Sequence, residues 1–437
     1  MAEATVRSDA TRAENYFISN YPPYFYWRPD ELPAFEASLD QSSRPGPLGL
    51  YVHLPFCRQR CSYCYFRVHP APSARDVDGY IEMLLKELSL HASRTAVAGR
   101  APSSAYFGGG TPSYLSLAQI EKLLVGIKAR ISWKGIEECT FECNPGTVSL
   151  EKLKLLRALG ISRVSLGFQS LTNEVVRNAG RVTDVGNAVE AFHLARNAGF
   201  TEINVDLLAG LPGETAETWR QTVERTAALQ PDCVTLYQME LSHNSRFYKS
   251  IQAGRHLNLP AWPEKRAWVD EAFRMLEEAR YTVASSYMAV RHPERWRFVH
   301  YVELYWHGAD LLALGESAFG YLQDFHYQNV DALESYGAMV GAGRLPLWRA
   351  LQLGAEEQLR REALLQLKTG RLSLAYFRRR FGIELQEKFR PQFEELERQG
   401  LLALQGSHIM LTREGLLQVD RFLPCFYLPQ HRGARYT

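Results

Sequence analysis

Between residue 49 and about residue 285, short apolar runs alternate with longer amphipathic ones. This alternation limits the possible folds more than any other feature. Residues 50–54, 104–107, 138–142, 163–167, 202–208 and 233–238 read as strands. Residues 80–92, 117–131, 150–158, 185–198 and 217–229 read as helices, with Ile81, Leu84, Leu85 and Leu88 at helical spacing in the first. Repeated strand–helix units predict an α/β fold with a parallel sheet and helices outside. Five or six such units suit a partial (β/α) barrel, open on one side. Chemistry in such barrels gathers at the carboxyl ends of the strands.

The motifs that carry chemistry fall at those strand ends. Cys57-Arg58-Gln59-Arg60-Cys61-Ser62-Tyr63-Cys64 places three cysteines in one short run. Three thiolates can hold three corners of a [4Fe–4S] cluster and leave one iron open to a small molecule. A zinc knuckle would want a second cysteine pair or a histidine pair at a set distance, and only His53 and His69 flank the run. A disulfide framework suits short secreted chains. The cluster is therefore the favoured reading. Cys139, Cys143, Cys233 and Cys425 read as buried small apolar residues, with an approach of Cys143 to a cofactor as the minor alternative.

Bulk composition removes several function classes. The 437 residues carry 50 basic and 48 acidic side chains, a net charge of +2. That balance argues against a nucleic-acid footprint. No apolar run approaches a membrane span, and residues 1–14 lack an apolar signal core. A reducing, cytoplasmic setting fits the free thiols.

Four segments are expected. Residues 1–48 form an aromatic arm, irregular over 15–45, that packs on a neighbouring domain or caps the active site. Residues 49–285 form the barrel and 286–355 an extension rich in Trp, Tyr and His. Residues 356–437 form an α+β winged-helix-like domain. Its helices are expected over 356–369, 374–381, 389–399 and 413–422, with a hairpin over 400–404 and 408–412. The run Arg378-Arg379-Arg380 is the one basic feature there that invites a nucleic-acid reading, which the balanced charge disfavours.

The chain resembles the radical S-adenosylmethionine (SAM) superfamily, through CxxxCxxC with an aromatic before the third cysteine. Five further motifs, in order and in spacing, are similar to the oxygen-independent coproporphyrinogen III oxidase-like family. They are Leu50-Tyr51-Val52-His53-Leu54-Pro55-Phe56, Phe107-Gly108-Gly109-Gly110-Thr111-Pro112, Phe141-Glu142-Cys143-Asn144-Pro145, Ser165-Leu166-Gly167-Phe168-Gln169-Ser170 and Asn204-Val205-Asp206-Leu207-Leu208-Ala209-Gly210-Leu211-Pro212. The resemblance implies a partial (β/α)6 radical SAM barrel and a C-terminal module covering it. It also implies a [4Fe–4S] cluster on Cys57, Cys61 and Cys64, whose open iron chelates SAM. Reductive cleavage of SAM would then give a 5′-deoxyadenosyl radical. Tyr63 would pack beside the cluster, and Gly109, Gly110 and Thr111 would hold the SAM amino group. Glu142, Gln169, Arg181, Asp206 and Leu208 stand where the family has SAM ligands. A second SAM would be lined by Tyr51, Tyr237, Glu240 and Phe319. The implied partners are a small-molecule substrate and an electron donor such as flavodoxin or ferredoxin, with the protein a monomer.

One position departs from the oxidase pattern. Phe66 stands where such oxidases carry a fourth cysteine. The first expectation is therefore a methyltransferase or cyclopropanase that uses two SAM molecules on a conjugated substrate. Residues 296–306 with Tyr287 would form its flat apolar pocket, or else a packed domain interface. The alternatives are oxidative decarboxylation of coproporphyrinogen III, and a haem chaperone or haem-degrading protein, with His53 or His69 as an axial ligand.

Overall fold

The computed structural model describes residues 10–13, 17–295 and 298–434. The arm is less irregular than its proline and aromatic content predicts. After two 3-10 turns it forms helix α1 (Leu32–Leu39). Phe35 and Leu39 enter the main core, while Ile18, Tyr21, Tyr24 and Trp27 enter a second core built by the C-terminal residues.

Six parallel strands then build the barrel wall: β1 (Leu48–Leu54), β4 (Ser104–Gly109), β5 (Glu138–Cys143), β6 (Arg163–Gln169), β7 (Glu202–Ala209) and β8 (Cys233–Gln238). Between β1 and β4 lie the two-residue strands β2 (Phe56–Cys57) and β3 (His69–Pro70), which pair in parallel. The outer helices are α2 (Ala74–Ala92), α3 (Leu117–Lys128), α4 (Leu150–Ala158), α5 (Asn173–Asn178), α6 (Val185–Asn197) and α7 (Ala216–Leu229). Ser73, Ser116, Ser149, Asp184 and Thr215 cap five of them, each side chain accepting a first-turn backbone N–H. The period of two along each strand explains the barrel. Leu50, Val52, Phe107, Phe141, Val164, Val205 and Val234 face the helices in the core.

The sheet does not stop at six strands. Helices α8 (Arg246–Gln252) and α9 (Trp262–Glu278) lead to the hairpin β9 (Thr282–Ser285) and β10 (Met288–Val290), which lengthens the β8 edge. On the other edge β11 (Asp310–Leu314) pairs parallel to β1, followed by β12 (Phe319–Leu322), β13 (Phe325–Asn329) and β14 (Leu347–Gln352) in antiparallel register. Helix α10 (Leu333–Gly341) joins the last two, and twelve strands share one sheet. The weak periodicity of residues 286–350 hid this edge.

Helices α11 (Ala355–Leu367), α12 (Leu374–Phe381), α13 (Leu385–Lys388) and α14 (Arg390–Arg398) pack with a three-stranded sheet of β15 (Arg371–Ser373), β16 (Leu402–Gln405) and β17 (His408–Leu411). The single expected helix over 413–422 is instead two short ones, α15 (Arg413–Leu417) and α16 (Val419–Phe422), broken at Gln418. Among the described residues no helix is long and apolar enough to cross a membrane.

Candidate active site

The cysteine run leaves the carboxyl end of β1 and is fastened on every side. The His69 and Ala71 amides donate to the carbonyls of Pro55 (2.7 Å) and Cys57 (2.8 Å). The Ser62 amide donates to Ala179 just beyond α5, and the Phe247 amide of α8 donates to Ser62. His69 Nε2 meets buried Glu316 at 2.7 Å, and this contact raises the histidine pKa. A loop tied at this many points can present three sulfurs in fixed positions.

All seven cysteines are free thiols. Cys57 is buried, and Cys61 and Cys64 are half-buried. Burial pushes the Cys57 thiol up to about 11 and Cys64 up to about 12, and the nearby Cys61 adds to both shifts. The three sulfurs are therefore close enough to influence one another. Among the described residues no set of His, Cys, Asp and Glu side chains converges on a single metal ion. Thiolates in a dry site need positive charge. Arg181 Nη1 lies 3.9 Å from Cys61 Sγ, and Arg60 lowers the Cys64 pKa. The donor set and its surroundings fit a cluster.

The glycine turn after β4 fits against this loop. Gly109 has φ +111°, and a Cβ there would meet the His53 ring at 2.7 Å. A Cβ on Gly110 would meet the Phe56 carbonyl at 2.7 Å. Glycine is thus required by close approach at both positions. The amides of Gly110 and Thr111 donate to Leu54 and Phe56 (2.8 Å each), and Thr111 Oγ1 lies 3.3 Å from Cys57 Sγ.

Polar side chains line the barrel interior above this turn. Glu142 accepts from the Tyr106 hydroxyl (2.8 Å) and the Gly109 amide (3.2 Å), and burial pushes its carboxyl up to about 7. Asp206 accepts from Ser165 (2.8 Å) and Asn204 (2.8 Å), and burial raises its pKa too. Arg181 donates to the Tyr63 hydroxyl (3.0 Å) and the Gly167 carbonyl (2.7 Å). Gln169 holds φ +69° at a register shift that ends β6. Such a backbone is costly for a non-glycine residue and concentrates at sites where a side chain must be aimed. Leu208 packs with Tyr63. Tyr51 hydrogen-bonds His53 Nδ1 at 3.1 Å and stacks on Tyr106.

The four residues expected around a second SAM come from β1, β8, the turn after β8 and β12, and Tyr237 and Glu240 are linked through the contact of Tyr287 with Phe17. Tyr51 lies on β1 as described. Tyr237 is 43% exposed at the end of β8 and tilts against Tyr287. Glu240 accepts the Phe17 amide of the arm at 3.1 Å. Phe319 packs on Tyr24 and Trp27. Trp296 lies outside the described residues. Several described side chains of its segment pack into the structure. His300 enters the barrel floor, 2.9 Å from Ser104 Oγ, Trp306 is buried, and Tyr305 lies 4.4 Å under the Arg361 guanidinium. The packed-interface alternative describes it better.

Sequence reasoning missed Tyr106 and gave no role to Ser165 and Asn204, which open two quoted motifs; these three orient the two carboxylates. Each lies two residues from a quoted motif position on the same strand face, and period-two counting could have found them. It also missed the joint of Tyr287, Lys368 and Asp420. No motif marks that joint, because its members come from distant segments.

Comparison with known proteins agrees with this geometry. Residues 51–226 match the radical SAM superfamily, and residues 353–417 match the HemN C-terminal domain. The chain thus carries a radical SAM domain and a HemN C-terminal domain, and its relatives are HemN-like coproporphyrinogen III oxidases and HemW. Its cofactors are accordingly a [4Fe–4S] cluster and SAM. It is 29% identical to an oxygen-independent coproporphyrinogen III oxidase of Escherichia coli, over 88% of this chain and 86% of that protein. A like-named oxidase of Pseudomonas aeruginosa is 27% identical over 99% of both chains. The heme chaperone HemW of Bacillus subtilis is 28% identical over 84% of this chain and 96% of its own. The solved structure of E. coli HemN, titled as a coproporphyrinogen III oxidase and radical SAM enzyme, superposes with a TM-score of 0.81 at 26% identity. It covers 94% of this chain and 96% of that one. Methyl transfer and cyclopropanation find no support in these relatives. The C-terminal module used to argue for them is shared with the oxidases and does not discriminate.

Proposed function

We propose that this radical SAM enzyme acts on a tetrapyrrole-like small molecule by oxidative decarboxylation of propionate side chains, as the oxidases' name implies. The supporting observation is end-to-end architecture. A named oxidase aligns with 99% of this chain, whereas HemW accounts for only 84% with nearly all of its own length. The surplus over the chaperone is a feature this chain shares with the Pseudomonas aeruginosa oxidase.

Cys57, Cys61 and Cys64 would hold the cluster, which supplies the electron that cleaves SAM. The chain's own residues bind and orient. Gly109, Gly110 and Thr111 offer a close backbone approach to the SAM amino group. Glu142, with Gln169 and Asp206 beside it, offers acceptors for ribose hydroxyls or an ammonium. Arg181 fixes Tyr63 against the loop. Tyr51, Tyr237, Glu240 and Phe319 would line a second SAM, with Glu240 also accepting the Phe17 amide of the arm. In the reaction each propionate loses one hydrogen atom, then carbon dioxide and one electron to a one-electron acceptor, leaving a vinyl group.

Anaerobic incubation of cluster-loaded protein with SAM, a reductant and coproporphyrinogen III tests this. The expected result is carbon dioxide released together with 5′-deoxyadenosine. Label passing from methyl-labelled SAM to the substrate, without carbon dioxide, would overturn it.

A haem chaperone is the second reading, and Phe66 favours it. Phe66 occupies the fourth-cysteine position and forms an exposed pair with Tyr65 at 4.4 Å. Neither expected axial ligand is well placed, because His53 is buried and His69 is held by Glu316. Stoichiometric haem uptake without turnover would decide for this reading.

A further inference from the structure

Charge on this chain is nearly balanced overall, yet the two stretches that meet at the cysteine loop contain no acidic residue. Residues 41–75 carry five arginines and residues 241–263 carry two arginines and a lysine, with no Asp or Glu in either. The fold brings the two together at the cysteine loop. The Phe247 amide donates to the Ser62 carbonyl, Arg60 bridges the carbonyls of Cys64 and Asn244 (3.1 Å each), and Asn244 donates to the Tyr65 carbonyl (2.5 Å). The last turn of α5 borders the same loop through Ala179.

Arg60 is thus used internally, and Arg67 pairs with Asp331. Arg58, Arg177 on α5, and Arg246 and Lys249 on α8 are exposed, and none of the four has an ion pair among the described residues. Glu174 on α5 is an exposed acid nearby, and Asp331 and Glu334 lie on the side of Arg67 and His69. Within this rim Tyr65 and Phe66 are 47% and 41% exposed, immediately after the third cysteine. Exposed aromatics ringed by arginine are the composition of an interface core, and unpaired cations steer an acidic partner.

We propose that this face docks an acidic, low-potential, one-electron carrier protein. The inference rests on the radical SAM reading, which requires an electron from outside. The carrier gives up one electron and the iron–sulfur group accepts it, with no bond made or broken. Redox encounters of this kind use small, salt-sensitive interfaces.

The test uses cluster-loaded full-length protein and a reduced acidic flavodoxin, without oxygen, with binding read by calorimetry. The dissociation constant is expected to rise about tenfold between roughly 50 and 300 mM salt, as a charge-steered contact requires. At low salt the double variant Arg246→Glu/Lys249→Glu should bind about tenfold more weakly, and Arg177→Glu should weaken binding independently. Dithionite-driven cleavage of SAM should stay within about twofold of the parent in both, since none of these residues contacts the site. Lys154→Glu, on α4, should bind as the parent does. A parent that fails to bind flavodoxin, variants that bind like the parent, or a control weakened equally would overturn the proposal. If dithionite yields no 5′-deoxyadenosine from the parent, the enzymatic reading fails, while the binding series still judges the surface.

Discussion

Arg181 shows how single side chains carry this site. Its guanidinium reaches Tyr63, Gly167 and Cys61 at once, so it joins the cysteine loop to β6. Replacing it with alanine removes a charge-assisted hydrogen bond and frees Tyr63. SAM affinity is expected to fall about tenfold, near 1.4 kcal/mol, measured by equilibrium binding. Lysine keeps the charge but not the fork, and should recover only part of the loss. Glu142 gives a pH test. Its folded pKa is raised to about 7, so it is protonated below that pH and ionised above it. If its carboxylate grips an ammonium or hydroxyls, SAM binding should strengthen from pH 6 to pH 8. Glu142→Gln should flatten that rise.

Among elements, the joint between barrel, arm and C-terminal domain matters most. Asp420 on α16 accepts from Lys368 (2.6 Å), from the Ile18 amide of the arm (2.8 Å) and from Tyr287 beyond β9. Lys368 and Asp420 are both almost fully buried, and burial lowers the lysine pKa. Asp420→Ala would strand a buried cation, at a cost of about 3–5 kcal/mol. Chemical denaturation should show that loss, and Asp420→Asn should show less because it keeps the Ile18 contact. The joint explains why the arm behaves as part of two cores despite its irregular sequence. It was not legible beforehand, because Ile18, Tyr287, Lys368 and Asp420 are up to 402 residues apart.

At the scale of the whole molecule, the parallel wall was legible because strand and helix periodicities differ sharply there. Residues 233–238 and 150–158 were bounded as the structure has them. The edge from β11 to β14 was not, since a strand such as β13, with mixed aromatic and polar residues buried on both faces, carries no clean alternation. The first-SAM positions lie together at one barrel end because motif order follows strand order. The second-SAM positions were assigned from the resemblance alone, without that support. Reaction type was least legible, since oxidases and chaperones share the scaffold and differ by residues such as Phe66. The claim beneath all of this is that Cys57, Cys61 and Cys64 hold a four-iron cluster. Counting iron and sulfide after anaerobic reconstitution tests it most directly. About four of each per chain are expected, falling close to zero when all three are changed to serine. Retention of a single zinc, or iron uptake that survives the triple change, would contradict it.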